Sequence, residues 1–134
     1  ARTRWITDAA RSTGLSAARA ETLLDRYGTR AASILAHEAA HPAATLADAA
    51  DYTLAEIDWL VRNERVVHLA DIVMRRTALA VTGRLSRRDL EAIAEVAAAV
   101  LGWSASQRQS EIERTASELA SRHRLRSAAE NAVS

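Results

Sequence analysis

Apolar side chains recur three and four positions apart over most of the chain, a spacing that places them on one face of an α-helix. The series Leu90, Ile93, Ala97 and Leu101 is the clearest example. No stretch alternates apolar and polar residues as a half-buried strand does. The pattern predicts helices near residues 3–13, 16–27, 29–41, 53–82, 86–101 and 104–124, and a kink near Asn63 is an alternative to one straight fourth helix. We therefore expect an all-α fold, a compact bundle of about five to six helices that forms a single domain over residues 1–134.

Residues that start and stop helices lie at the ends of these segments. Each of the four glycines follows a periodic run, as expected for a residue that ends a helix in the left-handed conformation. The sequence "SASQ" (104–107) has the form of a capping box. The predicted N-caps are Ser16, Thr29, Ser86 and Ser104. Pro42 ends the third helix, so residues 41–51 form the predicted linker.

Composition narrows the function classes. The net charge is +1, and acidic residues are interspersed among the 18 basic residues, which are all Arg. The chain therefore has no strong positive electrostatic field of the kind that attracts nucleic acid or an anionic membrane. The absence of Cys excludes disulfides and thiolate metal sites and suits a cytoplasmic compartment. No apolar run reaches the length of a membrane span.

The sequence "HEAAH" (37–41) matches the H-E-x-x-H pattern of zinc metallopeptidases, in which two histidines one helical turn apart bind zinc. His37 and His41 are predicted to lie on the side of the helix opposite Ala32, Leu35 and Ala39, which are expected in the core. The extended zincin pattern fails, because Ala47 stands where a third His should be. We therefore expect no metal site, and a small zinc hydrolase is retained only as an alternative.

A charged row on the long predicted helix is the strongest candidate for a functional surface. If residues 53–82 form one helix, then Glu64, His68, Asp71 and Arg75 follow one another at spacings of four, three and four. An exposed row of this kind is often only a solvated face. The sharper interpretation is a surface that docks on another domain, with Arg75 and Arg76 binding its carboxylates or carbonyls.

The same stretch resembles a known family. The segment "AEI..LVRNE", followed by an Asp and by "RRTALA", is similar to the C-terminal helical domain of FAD-dependent glycerol-3-phosphate dehydrogenases and of the related α-glycerophosphate oxidases. Segments 14–31 and 101–113 resemble flanking parts of that domain. The family's recurring positions fall here on Glu56, Arg62, Glu64, Asp71, Arg75, Arg76 and Thr77.

The resemblance implies a parent flavoenzyme that oxidises sn-glycerol 3-phosphate to dihydroxyacetone phosphate. It implies that FAD passes the electrons to a quinone and that the enzyme is peripheral to the cytoplasmic membrane face. The resemblance does not distinguish a dehydrogenase from an oxidase. The FAD fingerprint lies in an N-terminal flavin domain, so no cofactor and no catalytic residue is expected on this chain. The implied role is structural: a cap that docks on the flavin domain through Glu64, His68, Asp71, Arg75 and Arg76.

An Arg-rich helical binding module is the remaining alternative. Its cations would be Arg84, Arg87 and Arg88 in one cluster and Arg122, Arg124 and Arg126 in another. Interspersed acids favour solvated helix ends over a nucleic-acid surface. We therefore expect no nucleic-acid partner.

Overall fold

The computed structural model describes residues 1–122 and divides the chain into two compact units, with the boundary between Ala44 and Thr45. The predicted tail after Arg124 lies outside the described residues. Within residues 1–122 the regular secondary structure is helical, apart from an isolated antiparallel bridge between Thr45 and Thr53, which confirms the all-α fold class. That residues 1–134 form a single domain stays a prediction.

The first unit contains three helices that pack against one another: α1 (Arg2–Thr13), α2 (Ala17–Tyr27) and α3 (Ala31–Ala40). The Ser16 hydroxyl accepts a hydrogen bond from the backbone N–H of Arg19 and caps α2, as predicted. Gly14 ends α1 with φ 76°, a conformation that other residues rarely adopt. The buried apolar residues of this unit are Ala20, Leu23, Ala31, Ile34 and Leu35.

The second unit is built on α4 (Leu54–Asn63), α5 (Arg87–Leu101) and α6 (Ala105–Ser121). Helix α5 packs against both α4 and α6. The predicted caps Ser86 and Ser104 are confirmed, and Ser104 forms a complete capping box with Gln107. The core includes Leu46, Tyr52, Ile57, Leu69, Ile72, Leu85, Leu90, Ile93 and Leu119.

The predicted helix over residues 53–82 is wrong. Helix α4 ends at Asn63, residues 64–70 form a loop that enters a short helical turn, and a π-helical turn follows over Asp71–Arg76. The side-chain amide of Asn63 donates to the carbonyl of Trp59 and competes with the helix at its last turn. The next residues include the β-branched pair Val66 and Val67, which favours helix less than straight-chain residues do.

Two smaller predictions also fail. Thr29 caps no α-helix, because residues Gly28–Arg30 form a 3₁₀ turn and α3 begins at Ala31 without a side-chain cap. Ala32, expected in the core, is exposed. Part of the predicted linker 41–51 is packed, since Leu46 and Ala49 are buried. No helix among the described residues combines the length and the apolar character that crossing a bilayer requires.

Candidate interdomain surface

The loop over residues 64–70 is held by a carboxylate on its C-terminal side. Oδ2 of Asp71 accepts hydrogen bonds from the backbone N–H groups of Val67 (2.9 Å) and His68 (2.8 Å). Burial raises the pKa of Asp71, but the hydrogen bonds from His68 and Val67 and the charges of His68 and Arg75 outweigh it, so the pKa lies below its usual value. Asp71 therefore stays ionised and fixes the loop.

A second carboxylate, on α6, completes the support of the same loop. Oε1 of Glu111 accepts from the backbone N–H of Leu69 at 2.8 Å, and Oε2 lies 3.2 Å from Nδ1 of His68. The Glu111 side chain is only 13% exposed, so an unmet N–H at Leu69 would be costly. Asp71 and Glu111 thus replace the backbone acceptors that a continuous helix would supply.

The π-helical turn presents two cations. Arg75 and Arg76 are both exposed, and neither forms a salt bridge with any residue in the range 1–122. The hydroxyl of Thr77 donates to the carbonyl of Ile72, and the backbone N–H of Ala78 donates to the Tyr52 hydroxyl, which anchors the end of the turn. The backbone below the two arginines is therefore fixed while their guanidinium groups face solvent.

Two depressions flank the contact between His68 and Glu111. The first, which we call the arginine depression, has a volume of about 450 Å³ and includes Arg75 and Arg114 in its lining. The second, the valine depression, has a volume of about 270 Å³ and is lined in part by Val67 and Trp103. His68, Glu111 and Arg114 line both depressions.

The structure changes the geometry of the predicted charged row. Because the helix breaks after Asn63, Glu64 follows α4 as its C-cap with extended backbone. It therefore does not share a helical face with His68, Asp71 and Arg75. Asp71 bonds to backbone N–H groups, and no salt bridge joins it to Arg75 within the described residues. His68, Asp71 and Arg75 do line one depression, the arginine depression.

Sequence reasoning missed Glu111 and Arg114, which lie more than forty positions from His68 along the chain. No local spacing connects them to the charged row. Their proximity depends on how α6 packs beside the loop, and only the tertiary structure supplies that.

The H-E-x-x-H segment has a structural explanation. Glu38 is buried and accepts a bidentate ion pair from Arg19, with Nε–Oε1 2.8 Å and Nη2–Oε2 2.9 Å. The rings of His37 and His41 stack with centroids 4.5 Å apart. Within residues 1–122 no group of three His, Cys, Asp or Glu side chains is placed to hold a metal ion. The glutamate that a zincin would use as a base is committed to an arginine, which argues against the zinc alternative.

The first predicted Arg cluster is also paired within the molecule. Arg84 binds Asp51, Arg87 binds Glu91 and Glu113, and Arg88 binds Asp48; the shortest contact of each is 2.6 Å. In the second cluster, Arg122 pairs with Glu118, while Arg124 and Arg126 lie outside the described residues. Cations that are already neutralised by intramolecular carboxylates offer little to a phosphate backbone.

The described residues do not fit FAD. A flavin pyrophosphate is held by a glycine-rich turn between a β-strand and a helix. In residues 1–122 the only β-pairing is the isolated bridge, and the glycines stand singly, at helix or turn ends, with positive φ. We derive no chemical step through FAD on this chain.

Comparison with known proteins places the chain in a family. A family model described as the C-terminal domain of alpha-glycerophosphate oxidase matches residues 2–108. The chain is 34% identical over 98 residues to proteins named glycerol-3-phosphate dehydrogenase 2 from Mycobacterium bovis and Mycobacterium tuberculosis. These matches cover 69% of this chain, which spans only 16% of the relatives' length. No solved structure matches. The chain therefore belongs to the family of C-terminal domains of alpha-glycerophosphate oxidase.

Proposed function

We propose that this chain is the C-terminal domain of an FAD-dependent glycerol-3-phosphate dehydrogenase and that it docks on the N-terminal flavin domain. The parent enzyme converts sn-glycerol 3-phosphate to dihydroxyacetone phosphate. FAD, bound on the flavin domain, supplies the redox chemistry and passes the electrons to a quinone at the cytoplasmic membrane face. The observation that carries the proposal is the family match over residues 2–108, combined with relatives named glycerol-3-phosphate dehydrogenase 2.

The role of this domain is structural. Its buried carboxylates are used inside the fold: Glu38 binds Arg19, and Asp89 accepts from the backbone N–H groups of Ala47 (2.7 Å) and Asp48 (2.8 Å). Groups committed in this way are not available for acid–base chemistry on a substrate. The exposed cations of the π-helical turn are available to contact another domain.

The docking surface is centred on the charged row, with Arg75 and Arg76 as its main contacts. Guanidinium groups bind carboxylates bidentately and carbonyls through several donors, so two adjacent arginines on a fixed turn suit a protein partner. His68 and Asp71 flank them, and Glu64 ends the preceding helix.

The test is charge reversal in the full-length enzyme. Arg75→Glu combined with Arg76→Glu should reduce glycerol 3-phosphate oxidation by about tenfold or more, and should expose the domain junction to limited proteolysis. A loss of at least 1.4 kcal/mol of docking free energy corresponds to that factor. Turnover with a soluble quinone and the rate of proteolysis are both measured.

The matched control is Arg4→Glu combined with Arg11→Glu, which changes the net charge equally on two exposed arginines of α1. This variant should keep wild-type turnover. Unchanged turnover and proteolysis in the Arg75/Arg76 variant would contradict the docking role, whereas an inactive wild-type enzyme would contradict the assignment itself.

A further inference from the structure

We propose that the arginine depression and the valine depression together bind an acidic, partly apolar segment of the partner domain. In this interface a carboxylate contacts Arg75 and Arg114, and a neighbouring apolar side chain lies against Val67 and Trp103. The inference rests on the proposed function in taking the flavin domain as the partner. It extends that function by adding contacts outside the charged row and by specifying the partner's chemistry.

A carboxylate is the expected ligand of this surface because the acids beside the loop already accept hydrogen bonds or form ion pairs inside the fold. Asp71 and Glu111, two acids that line the arginine depression, accept hydrogen bonds from backbone N–H groups of the loop. Glu118 pairs with Arg122 at 3.3 Å. These acids therefore have little left to offer to a cation on a partner.

The remaining cations have spare donors. Arg75 has no salt bridge within the described range, and the Arg114–Glu111 contact is 3.8 Å long with the Arg114 side chain 67% exposed. Both arginines line the same depression of about 450 Å³. One incoming carboxylate can accept from both, and an arginine pair suits that planar acceptor better than lysines would.

The acids in the same depression argue against a polyanion. A nucleic-acid backbone gains affinity by neutralising many phosphates in a row. Asp71, Glu111 and Glu118 would lie close to those phosphates and repel them. A single carboxylate placed between Arg75 and Arg114 avoids this repulsion, so a protein segment is favoured.

The apolar part of the partner follows from the valine depression. Val67 is 66% exposed and lines this depression with the half-buried Trp103. Aromatic side chains are enriched at the centre of protein interfaces, and Val67 adds exposed apolar surface to the depression that Trp103 lines. Val81 is exposed to a similar degree, 64%, but lines neither depression. The two valines therefore form a matched pair for an experiment.

The surface is preorganised for binding. Asp71 and Glu111 fix the backbone that carries Val67 and His68, and Glu111 belongs to the same helix as Arg114. An interface whose backbone is already ordered loses less conformational entropy on binding.

The experiment measures hydrogen exchange in the full-length protein. Arg114→Glu and Val67→Ser, made separately, should each accelerate exchange in segments 66–76 and 103–115 by about tenfold, the factor that corresponds to 1.4 kcal/mol. Arg108→Glu, on the same helix but outside both depressions, and Val81→Ser should leave exchange unchanged. Arg114→Lys should give an intermediate acceleration, because a lysine cannot share a carboxylate bidentately.

The outcomes separate this inference from the proposed function. If segments 66–76 and 103–115 exchange at the wild-type rate in both Arg114→Glu and Val67→Ser, the inference is overturned, even when the protein is an active dehydrogenase. An inactive wild-type protein in which these segments still respond would contradict the proposed function alone. Circular dichroism of the 134-residue chain with each substitution checks that the helices remain. If Val67→Ser unfolds the chain, Arg114→Glu alone decides.

Discussion

Glu38 in α3 and Asp71 at the π-helical turn are both acids in segments that attract attention in the sequence, yet they are used differently. Glu38 is 6% exposed and pairs with Arg19, so its carboxylate is not available to a binding partner. Asp71 bonds to its own loop and leaves Arg75 and Arg76 exposed and without salt bridges inside the described range. In the H-E-x-x-H segment, which matches a known catalytic pattern, the glutamate is paired inside the fold. The π-helical turn matches no catalytic pattern, and its two arginines remain available to bind a partner.

The difference shows what distinguishes a structural polar residue from one available to a partner. A buried charge is tolerated when its hydrogen bonds are completed inside the fold. An exposed cation on a fixed backbone has no such requirement and can exchange water for a partner's carboxylate. Substitutions in the two regions should therefore affect different measurements.

The largest effect on stability is expected in the first region. Arg19→Ala removes the bidentate ion pair that Arg19 forms with buried Glu38 and should lower the free energy of unfolding by about 3 kcal/mol. Arg11→Ala, at an exposed position of α1, should stay within about 0.5 kcal/mol of wild type. Urea unfolding followed by circular dichroism measures both. If Arg19→Ala and Arg11→Ala lowered the free energy of unfolding equally, the buried ion pair would have no special role in stability, and the contrast between the two regions would be contradicted.

The next effect concerns the support of the loop. Glu111→Ala leaves the backbone N–H of Leu69, a fully buried residue, without its acceptor and should cost about 2 kcal/mol. Glu113→Ala, on the same helix, removes an exposed ion pair with Arg87 and an exposed hydrogen bond from Gln109, and should change stability far less. Thermal unfolding of the two variants gives the comparison, and a larger loss in Glu113→Ala would show that the loop does not depend on Glu111.

A smaller, pH-dependent effect is expected at Asp71. Asp71→Asn keeps the shape but removes the charge, and at pH 7 should cost about 1 kcal/mol. Because the folded-state pKa lies below the ordinary value of 3.8, the stabilisation is present above that value and is lost as the pH falls through the folded-state pKa. The difference between variant and wild type should therefore shrink below about pH 4 in urea titrations. A difference that is constant from pH 7 to pH 3 would contradict the role of the charge.

The smallest effect on stability is expected where binding is proposed. Arg75→Glu with Arg76→Glu should change the free energy of unfolding of the isolated chain by no more than about 0.5 kcal/mol, since neither side chain has a salt bridge to lose among residues 1–122. Chemical denaturation of the 134-residue chain provides the measurement. A loss of several kcal/mol would mean that the arginines serve the fold, and the docking proposal would lose its basis.

Local chemistry predicted much of the fold. Ser16, Ser86 and Ser104 cap helices as expected because an N-cap depends on the few residues that follow it. The helix over 53–82 was predicted wrongly for the opposite reason. Its apolar spacing allows a helix, but Asp71 and Glu111 satisfy the backbone of a loop instead, and Glu111 is remote in sequence.

The candidate surface was predicted only in part. Arg75 and Arg76 were selected because they belong to a dispersed pattern that resembles a family, and the match over residues 2–108 confirms that family. Arg114 had no pattern to mark it, and Trp103 was marked only as part of the segment 101–113 that resembles the family, since both residues approach the loop only through the packing of the second unit. Their role in binding stays a prediction.

The sequence by itself determined the all-α class, the helix caps at Ser16, Ser86 and Ser104, and the family, because periodicity, capping and a residue pattern are all properties of short stretches of chain. The tertiary structure alone decided which charges are left free. Whether an acid meets an arginine, as Glu38 does, or a backbone N–H, as Glu111 does, depends on residues brought together from distant parts of a unit. Hydrogen bonds act over about 3 Å, and the sequence does not report distances of that kind.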